Sequence, residues 1–217
     1  MAERIVLFDL DGTLTDSGEG ITKCVKLALD HFGIPVASLD SLRYFVGPPL
    51  RDSFLKAGVP EDKIEEAIAI YRSRYTNVGL FENIPYPGIR ELLEKLTAQG
   101  FRLFVATSKP EEMAVRVLEK FDLYRYFEKV CGATLDKTRD SKSAVIAYLL
   151  ESAGNAQNAI MVGDTAFDVV GAAEHGIPTI GVSWGYGNVD EMKASGAIAI
   201  ANTAEELLFL LRNRFCS

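Results

Sequence analysis

Four short apolar runs, separated by helix-patterned stretches, constrain this chain more than any other feature of its sequence. Residues 4–10, 101–107, 159–163 and 179–182 are rich in Ile, Val, Leu and Phe and run into Asp, Gly, Thr or Ser. Runs this short and this continuously apolar predict parallel strands buried on both faces. Apolar residues recur between them at helical spacing. Ile89, Leu92, Leu93 and Leu96 form one stripe with Gly100 as a stop, and Met113, Val117, Leu118 and Phe121 form another after Pro110. Residues 142–151, 166–174 and 203–212 complete the helical set. The alternation predicts an α/β fold, a doubly wound parallel sheet with right-handed crossovers. Such sheets bind ligands at the carboxyl ends of their strands. That rule alone selects Asp9, Asp11, Thr107, Ser108 and Asp164 as candidates.

Residues 15–84 break the pattern. Ile21, Val25 and Leu29, then Ile64, Ile68, Tyr71 and Tyr75, keep helical periodicity with no convincing strand, and Gly47-Pro48-Pro49 and Gly58-Val59-Pro60 interrupt as turns. Seventy residues far exceed an ordinary crossover. The expectation is therefore an inserted all-helical cap domain over 15–84, closed by Pro85-Tyr86-Pro87-Gly88, on a core formed by 1–14 and 85–217. A chain of 217 residues, 48% hydrophobic and 24% charged, can bury one such core and a smaller companion.

No apolar run approaches the roughly 20 residues that cross a bilayer. The chain enters a strand-like run at once, so no cleaved leader is expected. Cys24, Cys131 and Cys216 lack metal-type spacing and read as reduced thiols of a cytoplasmic protein. A net charge of −7 argues against a nucleic-acid polymer or a membrane as partner. It also means that any phosphate handled here must find positive charge gathered locally.

Four segments carry chemistry. In Phe8-Asp9-Leu10-Asp11-Gly12-Thr13, residues two apart on an extended strand point the same way, so Asp9 and Asp11 share a face. Two carboxylates that close call for a cation or a proton, and a hard divalent ion such as Mg²⁺ suits oxygen ligands. An acidic turn, with Gly12 making the bend and Thr13 capping, accounts for the same residues. Thr107-Ser108-Lys109-Pro110 offers hydroxyls and helix-start N–H groups to a phosphate oxygen, or simply an N-cap. Lys142 opens an apolar helix, where a cation is electrostatically misplaced unless it serves an anion or neighbouring carboxylates. Asp164 and Asp168 lie at a second strand end and the first turn beyond it, as metal ligands or as helix caps.

Taken in order, Asp9-Leu10-Asp11-Gly12-Thr13, Thr107, Lys142 and Gly163-Asp164-Thr165-Ala166-Phe167-Asp168 resemble the four motifs of the haloacid dehalogenase-like hydrolase superfamily, over essentially the whole chain. The likeness is greatest to its phosphoglycolate phosphatase group with a helical cap, to which Gly181-Val182-Ser183-Trp184-Gly185-Tyr186-Gly187 adds. Residues 81–88 and 135–142 also look like a bacterial 5′-nucleotidase-like subgroup. The resemblance implies a Rossmann-like core and a Mg²⁺-dependent phosphatase acting on a small phosphorylated metabolite, as a monomer or homodimer. It makes Asp9 the nucleophile, Asp11 the acid–base, Thr107 and Lys142 the phosphoryl binders, and Asp9, Asp11 (through its carbonyl), Asp164 and Asp168 the metal site. Gly12 and Ser108 join the substrate site, and Gly47, Arg43 and Arg51 are the cap candidates. Asp11 counts against the dehalogenase and phosphonate-cleaving branches. A sugar phosphomutase and a non-catalytic binding protein on the same fold remain as rivals.

Overall fold

The computed structural model describes residues 3–136, 138–153 and 158–216. Strand β1 (Ile5–Phe8) leads to the two-residue β2 (Thr15–Asp16) and then to helices α1 (Gly18–His31), α2 (Leu50–Lys56) and α3 (Ile64–Tyr75), with short 3₁₀ turns between them. After β3 (Ile84–Pro85) come α4 (Ile89–Ala98), β4 (Arg102–Pro110), α5 (Glu111–Lys120), β5 (Lys129–Ala133) and α6 (Lys142–Ala153). The chain ends with β6 (Ala159–Gly163), α7 (Ala166–Ala173), β7 (Thr179–Val182), α8 (Val189–Ala194), β8 (Ala199–Ala201) and α9 (Ala204–Cys216).

Six strands form one parallel sheet in the order β5-β4-β1-β6-β7-β8. Strand β1 sits at its centre, fully buried, and its period of two divides the core. Val6, Phe8 and Leu10 enter one apolar cluster with Leu92, Leu96, Val117 and Leu211, while Ile5 and Leu7 enter the other with Val145, Leu149 and Ala172. Helices therefore cover both faces, as the alternation predicts. The chain winds outward from β1 through β4 to β5, then returns to β6 on the other side of β1. That reversal opens a crevice at the carboxyl end of β1.

Register decides what meets there. Phe8 is paired with Val105 on one side and Val162 on the other. The next residue, Asp9, donates its N–H to the Val162 carbonyl at 2.9 Å. Its side chain thus emerges between the ends of β4 and β6, which bring Thr107 and Asp164.

Strands β2 and β3 pair antiparallel, Thr15 with Pro85 and Asp16 with Ile84, at the two crossings into the helical segment. The sequence showed no strand in 15–84, because two residues are too few for any periodicity. The helical segment between them packs α1 against α3, and Ile21, Val25, Leu29, Ile64 and Ile68 extend the first cluster. Among the described helices, none is long and apolar enough to cross a membrane. Cys24 and Cys131 are buried free thiols; Lys137 and the Cys216 side chain lie outside the described part.

Candidate active site

Three carboxylates, from the tips of β1 and β6 and the first turn of α7, meet at the crevice. Single oxygens of Asp9, Asp164 and Asp168 lie within 4.8 Å of one another, and all three residues are buried. Lys142, only 6% exposed, places its Nζ 2.8 Å from Asp9 Oδ1 and 2.8 Å from Asp168 Oδ1, and donates to the Ala106 carbonyl at 2.9 Å. The lysine that looked misplaced at its helix start is the counterion of two buried carboxylates. Asp168 does both things the sequence left open. Its Oδ2 caps α7 by accepting from Thr165 N at 3.0 Å and Thr165 Oγ1 at 2.8 Å, while its Oδ1 faces Lys142.

Asp164 is fixed by Thr13 Oγ1, donating at 3.2 Å, and by the Tyr186 N–H, donating at 2.8 Å. Glycines make room for it. A Cβ on Gly12, whose φ is +87°, would lie 2.2 Å from Asp164 Oδ2, and one on Gly185 would lie 2.3 Å from the same atom. Both positions admit only glycine.

Charge is not balanced by these side chains. Burial pushes Asp9 up to about 6, with Asp168 adding and Lys142 opposing. Asp164 is raised well above the usual carboxylate range by burial, then by Asp168 and Asp9. Burial would lower the Lys142 ammonium, but Asp168 and Asp9 more than reverse it and leave it raised. Asp9 Oδ1 and Asp168 Oδ1 are within ion-pair distance of Lys142 yet lack a hydrogen-bond partner in good alignment. Three buried carboxylates with one lysine, two of their oxygens without hydrogen bonds, form an oxygen-rich donor set that fits a hard divalent cation.

Asp11 stands apart from this cluster. Its two oxygens accept from Lys109 Nζ at 2.6 and 2.5 Å, in an ion pair that is almost fully buried. Lys109 thus holds the Asp11 side chain, while Asp9, Asp164 and Asp168 form the acidic cluster. Lys109, which the sequence offered only as part of the Thr107–Pro110 segment, is the partner of Asp11. Thr107 Oγ1, where the β4 pairing turns irregular, accepts the Lys109 N–H at 3.2 Å in a local turn; α5 itself starts after Pro110 without a side-chain cap, so neither Thr107 nor Ser108 is its N-cap.

A cavity of about 340 Å³ opens above Asp9 and Asp11, lined on the core side by Thr107, Ser108 and Lys109 and on the helical side by Gly47 and Arg51. Gly47 has φ +100°, and a Cβ there would touch Thr165 at 3.2 Å. Arg43 is not among the lining residues. It borders a separate cavity of about 260 Å³ beside β2 and β3, pairs with Asp40 at 3.3 Å and lies over the Tyr186 ring. Its neighbours in the sequence reach the active-site cavity, but the 3₁₀ turn over Asp40–Phe45 directs Arg43 the other way.

Residues 183–187 are the part of the site that residue chemistry alone did not reveal; only the family likeness touched them. Trp184 Nε1 donates to the Thr13 carbonyl at 3.0 Å, Tyr186 N–H holds Asp164, and Tyr186 Oη donates to Asp16 while accepting the Gly18 N–H at 2.7 Å. The signal that could have found them is the run of glycines directly after a buried strand.

This combination of parallel sheet, central acidic strand tip and buried lysine defines a hydrolase class. The chain belongs to the haloacid dehalogenase-like hydrolases, whose family model matches residues 6–182. It is 44% identical to a 5′-nucleotidase of Pseudomonas aeruginosa, over 87% of this chain and 86% of that one. It is 42% identical to the tyrosine-protein kinase PtkA of Mycobacterium tuberculosis, over 93% of this chain and 69% of that one. A phosphoglycolate phosphatase of Agrobacterium fabrum is 31% identical, over 92% and 89%. Among solved structures, a predicted phosphatase from Clostridium acetobutylicum superposes with a TM-score of 0.94 at 45% identity, covering 98% of this chain and all of that one.

Proposed function

We propose that this protein hydrolyses small phosphomonoesters through a covalent phosphate on Asp9. The observation that carries the reading is the placement of Asp9 between Lys142 and the Asp164–Asp168 pair, at the end of the central strand. An Asp9 oxygen attacks phosphorus as the bond to the leaving oxygen breaks, and Asp11, protonated in the substrate complex, gives that oxygen its proton. Asp11, now a carboxylate, takes a proton from water. The water oxygen attacks phosphorus, the Asp9–phosphorus bond breaks, and inorganic phosphate leaves. Thr107 and Ser108 hold phosphoryl oxygens, and Lys142 offsets charge that develops on them.

Mg²⁺ held by Asp9, Asp164 and the Asp11 carbonyl, with Asp168 beside it, would supply the positive charge that lets one anion approach another. The helical segment 15–84 serves as the cap, and its β2–β3 pair as the hinge on which it closes and excludes water. Phosphoglycolate, a nucleoside 5′-monophosphate and a sugar phosphate are all compatible with this chemistry, and relatives carry the first two in their names.

The test is phosphate release from p-nitrophenyl phosphate with Mg²⁺ and with chelator. The parent turns over only with metal. Asp9→Asn, which keeps the shape but removes the nucleophile, loses on the order of a thousandfold or more in kcat. Mass spectrometry of the acid-quenched parent finds phosphate on the peptide containing Asp9. Undiminished turnover by Asp9→Asn would rule the assignment out.

A further inference from the structure

Helix α1 opens the helical segment, yet its own N-cap residue, Ser17, makes no side-chain cap hydrogen bond. The first N–H groups of a helix need partners from outside it. For Gly18 they are Asp16 Oδ1, accepting at 3.2 Å, and Tyr186 Oη, accepting at 2.7 Å. The same hydroxyl gives its hydrogen to Asp16 Oδ1. A residue 168 positions beyond Gly18 therefore ties β2 to the first turn of α1.

The main chain of Tyr186 reaches the other way. Its N–H donates to Asp164 Oδ2 at 2.8 Å, so a single residue joins the start of the helical segment to the acidic cluster. Among the described contacts, the other donor to the Asp164 carboxylate is Thr13 Oγ1, at the longer distance of 3.2 Å. Close approach is written into the sequence at both ends of this link. A Cβ on Gly18 would fall 2.6 Å from Tyr186 Oη, and one on Gly187 would fall 1.9 Å from the Asp164 carbonyl oxygen. Two further contacts bind the same loop to the helical segment and its second crossing. The Arg43 guanidinium lies 5.8 Å from the centre of the Tyr186 ring, and the Trp184 ring lies 6.4 Å from that of Tyr86, just after β3.

We infer that Tyr186 is a positioning residue, which sets the Asp164 carboxylate from an anchor on Asp16 and Gly18 and so makes metal affinity at the acidic cluster depend on how the helical segment is seated. The inference rests on the reading of Asp164 as a Mg²⁺ ligand and of 15–84 as the cap, and adds a link between the two. Groups that hold a metal ligand from behind carry roughly 10–100-fold in affinity.

The test is calorimetric titration of the full chain with Mg²⁺ in the absence of substrate, together with amide hydrogen exchange read by mass spectrometry. Tyr186→Phe keeps the ring and the N–H but loses both hydroxyl contacts. Asp16→Ala removes the anchor, at a residue whose described hydrogen bonds run only to Gly18 and Tyr186. Each variant is expected to bind Mg²⁺ about tenfold more weakly, and the double variant no more weakly than either, because both cut one path. Asp16→Asn, which keeps an acceptor oxygen, restores most of the affinity. Glu82→Gln, which loosens α1 from α3 without touching the path, binds Mg²⁺ as the parent does. In Asp16→Ala the amides of residues 184–187 exchange about tenfold faster than in the parent, the effect of losing one hydrogen bond to a charged group. Parental Mg²⁺ affinity in Asp16→Ala or Tyr186→Phe overturns the inference, as does an equal loss in Glu82→Gln, which would assign the effect to general loosening. A parent that binds no Mg²⁺ removes the metal reading, and exchange then decides alone. Faster exchange over 184–187 in Asp16→Ala supports the link from the helical segment to Asp164, and parental exchange overturns it.

Discussion

Lys142 shows how one side chain can be indispensable without being a simple stabiliser. It sits between two carboxylates that are themselves 5% and 0% exposed, so its ammonium is the counterion that makes their burial tolerable. A salt bridge assembled in a protein interior adds little net stability, but removing one partner strands the other charge. Lys142→Met, similar in volume, is therefore expected to lower unfolding free energy by about 3–5 kcal/mol without metal, read from urea unfolding followed by circular dichroism. A loss below about 1 kcal/mol would mean that Asp9 and Asp168 do not depend on the lysine for charge balance. The sequence flagged this residue for the right reason, a cation against the helix dipole. It could not name both partners, since their meeting depends on the return of the chain from β5 to β6.

At the scale of elements, what could be read in advance followed length and burial. Strands β6 and β7 lie where continuous apolar runs put them, and β1 and β4 differ by a few residues at their ends. Strand β5, with Cys131-Gly132-Ala133, and the three-residue β8 went unread because small residues carry neither apolar weight nor periodicity. Helix α8 begins on a side-chain cap, Asn188 Oδ1 accepting from Asp190 N and Glu191 N, but spans only six residues. The β2–β3 pair was equally silent, although one residue beside it ties the helical segment together. Glu82 accepts from Arg74 of α3 at 2.7 and 3.0 Å and from Lys23 of α1 at 2.9 Å. The Arg74 hydrogen bonds, with Lys23 assisting against partial burial, bring its carboxyl from 4.5 down to about 2. A depressed carboxyl stabilises the fold above its unfolded value, and this contribution disappears as pH falls from about 4.5 toward 2. Because the group is partly exposed, Glu82→Gln should cost on the order of 1 kcal/mol at pH 7. The gap between parent and variant narrows from about pH 5 to pH 3 in thermal unfolding. A gap that stays constant with pH would assign the cost to packing instead of charge.

Considered whole, a chain of net charge −7 has two of its lysines buried at the sheet's carboxyl edge, paired with Asp9, Asp11 and Asp168, while Asp164 completes a group of four aspartates there. Those aspartates come from residues 9–11 and 164–168, which are far apart in sequence and adjacent only in the folded sheet. The uncompensated charge is thus a property of the native state, and a cation that relieves it binds the folded chain far better than the unfolded one. Linkage then makes stability depend on Mg²⁺ concentration, by about 2.7 kcal/mol when free metal is 100 times its dissociation constant. For a chain of this length that is a rise of roughly 5–10 °C in Tm. Differential scanning calorimetry should show the rise with added Mg²⁺ and its reversal by chelator. Asp164→Asn, which keeps an acceptor oxygen for Thr13 and Tyr186 but removes a charge from the cluster, should abolish most of it. The same variant without metal should be no less stable than the parent, since it relieves repulsion among buried carboxylates. A Tm indifferent to Mg²⁺ in the parent, or a rise undiminished in Asp164→Asn, would separate the acidic cluster from metal binding and leave Asp9, Asp164 and Asp168 without a cause for their burial.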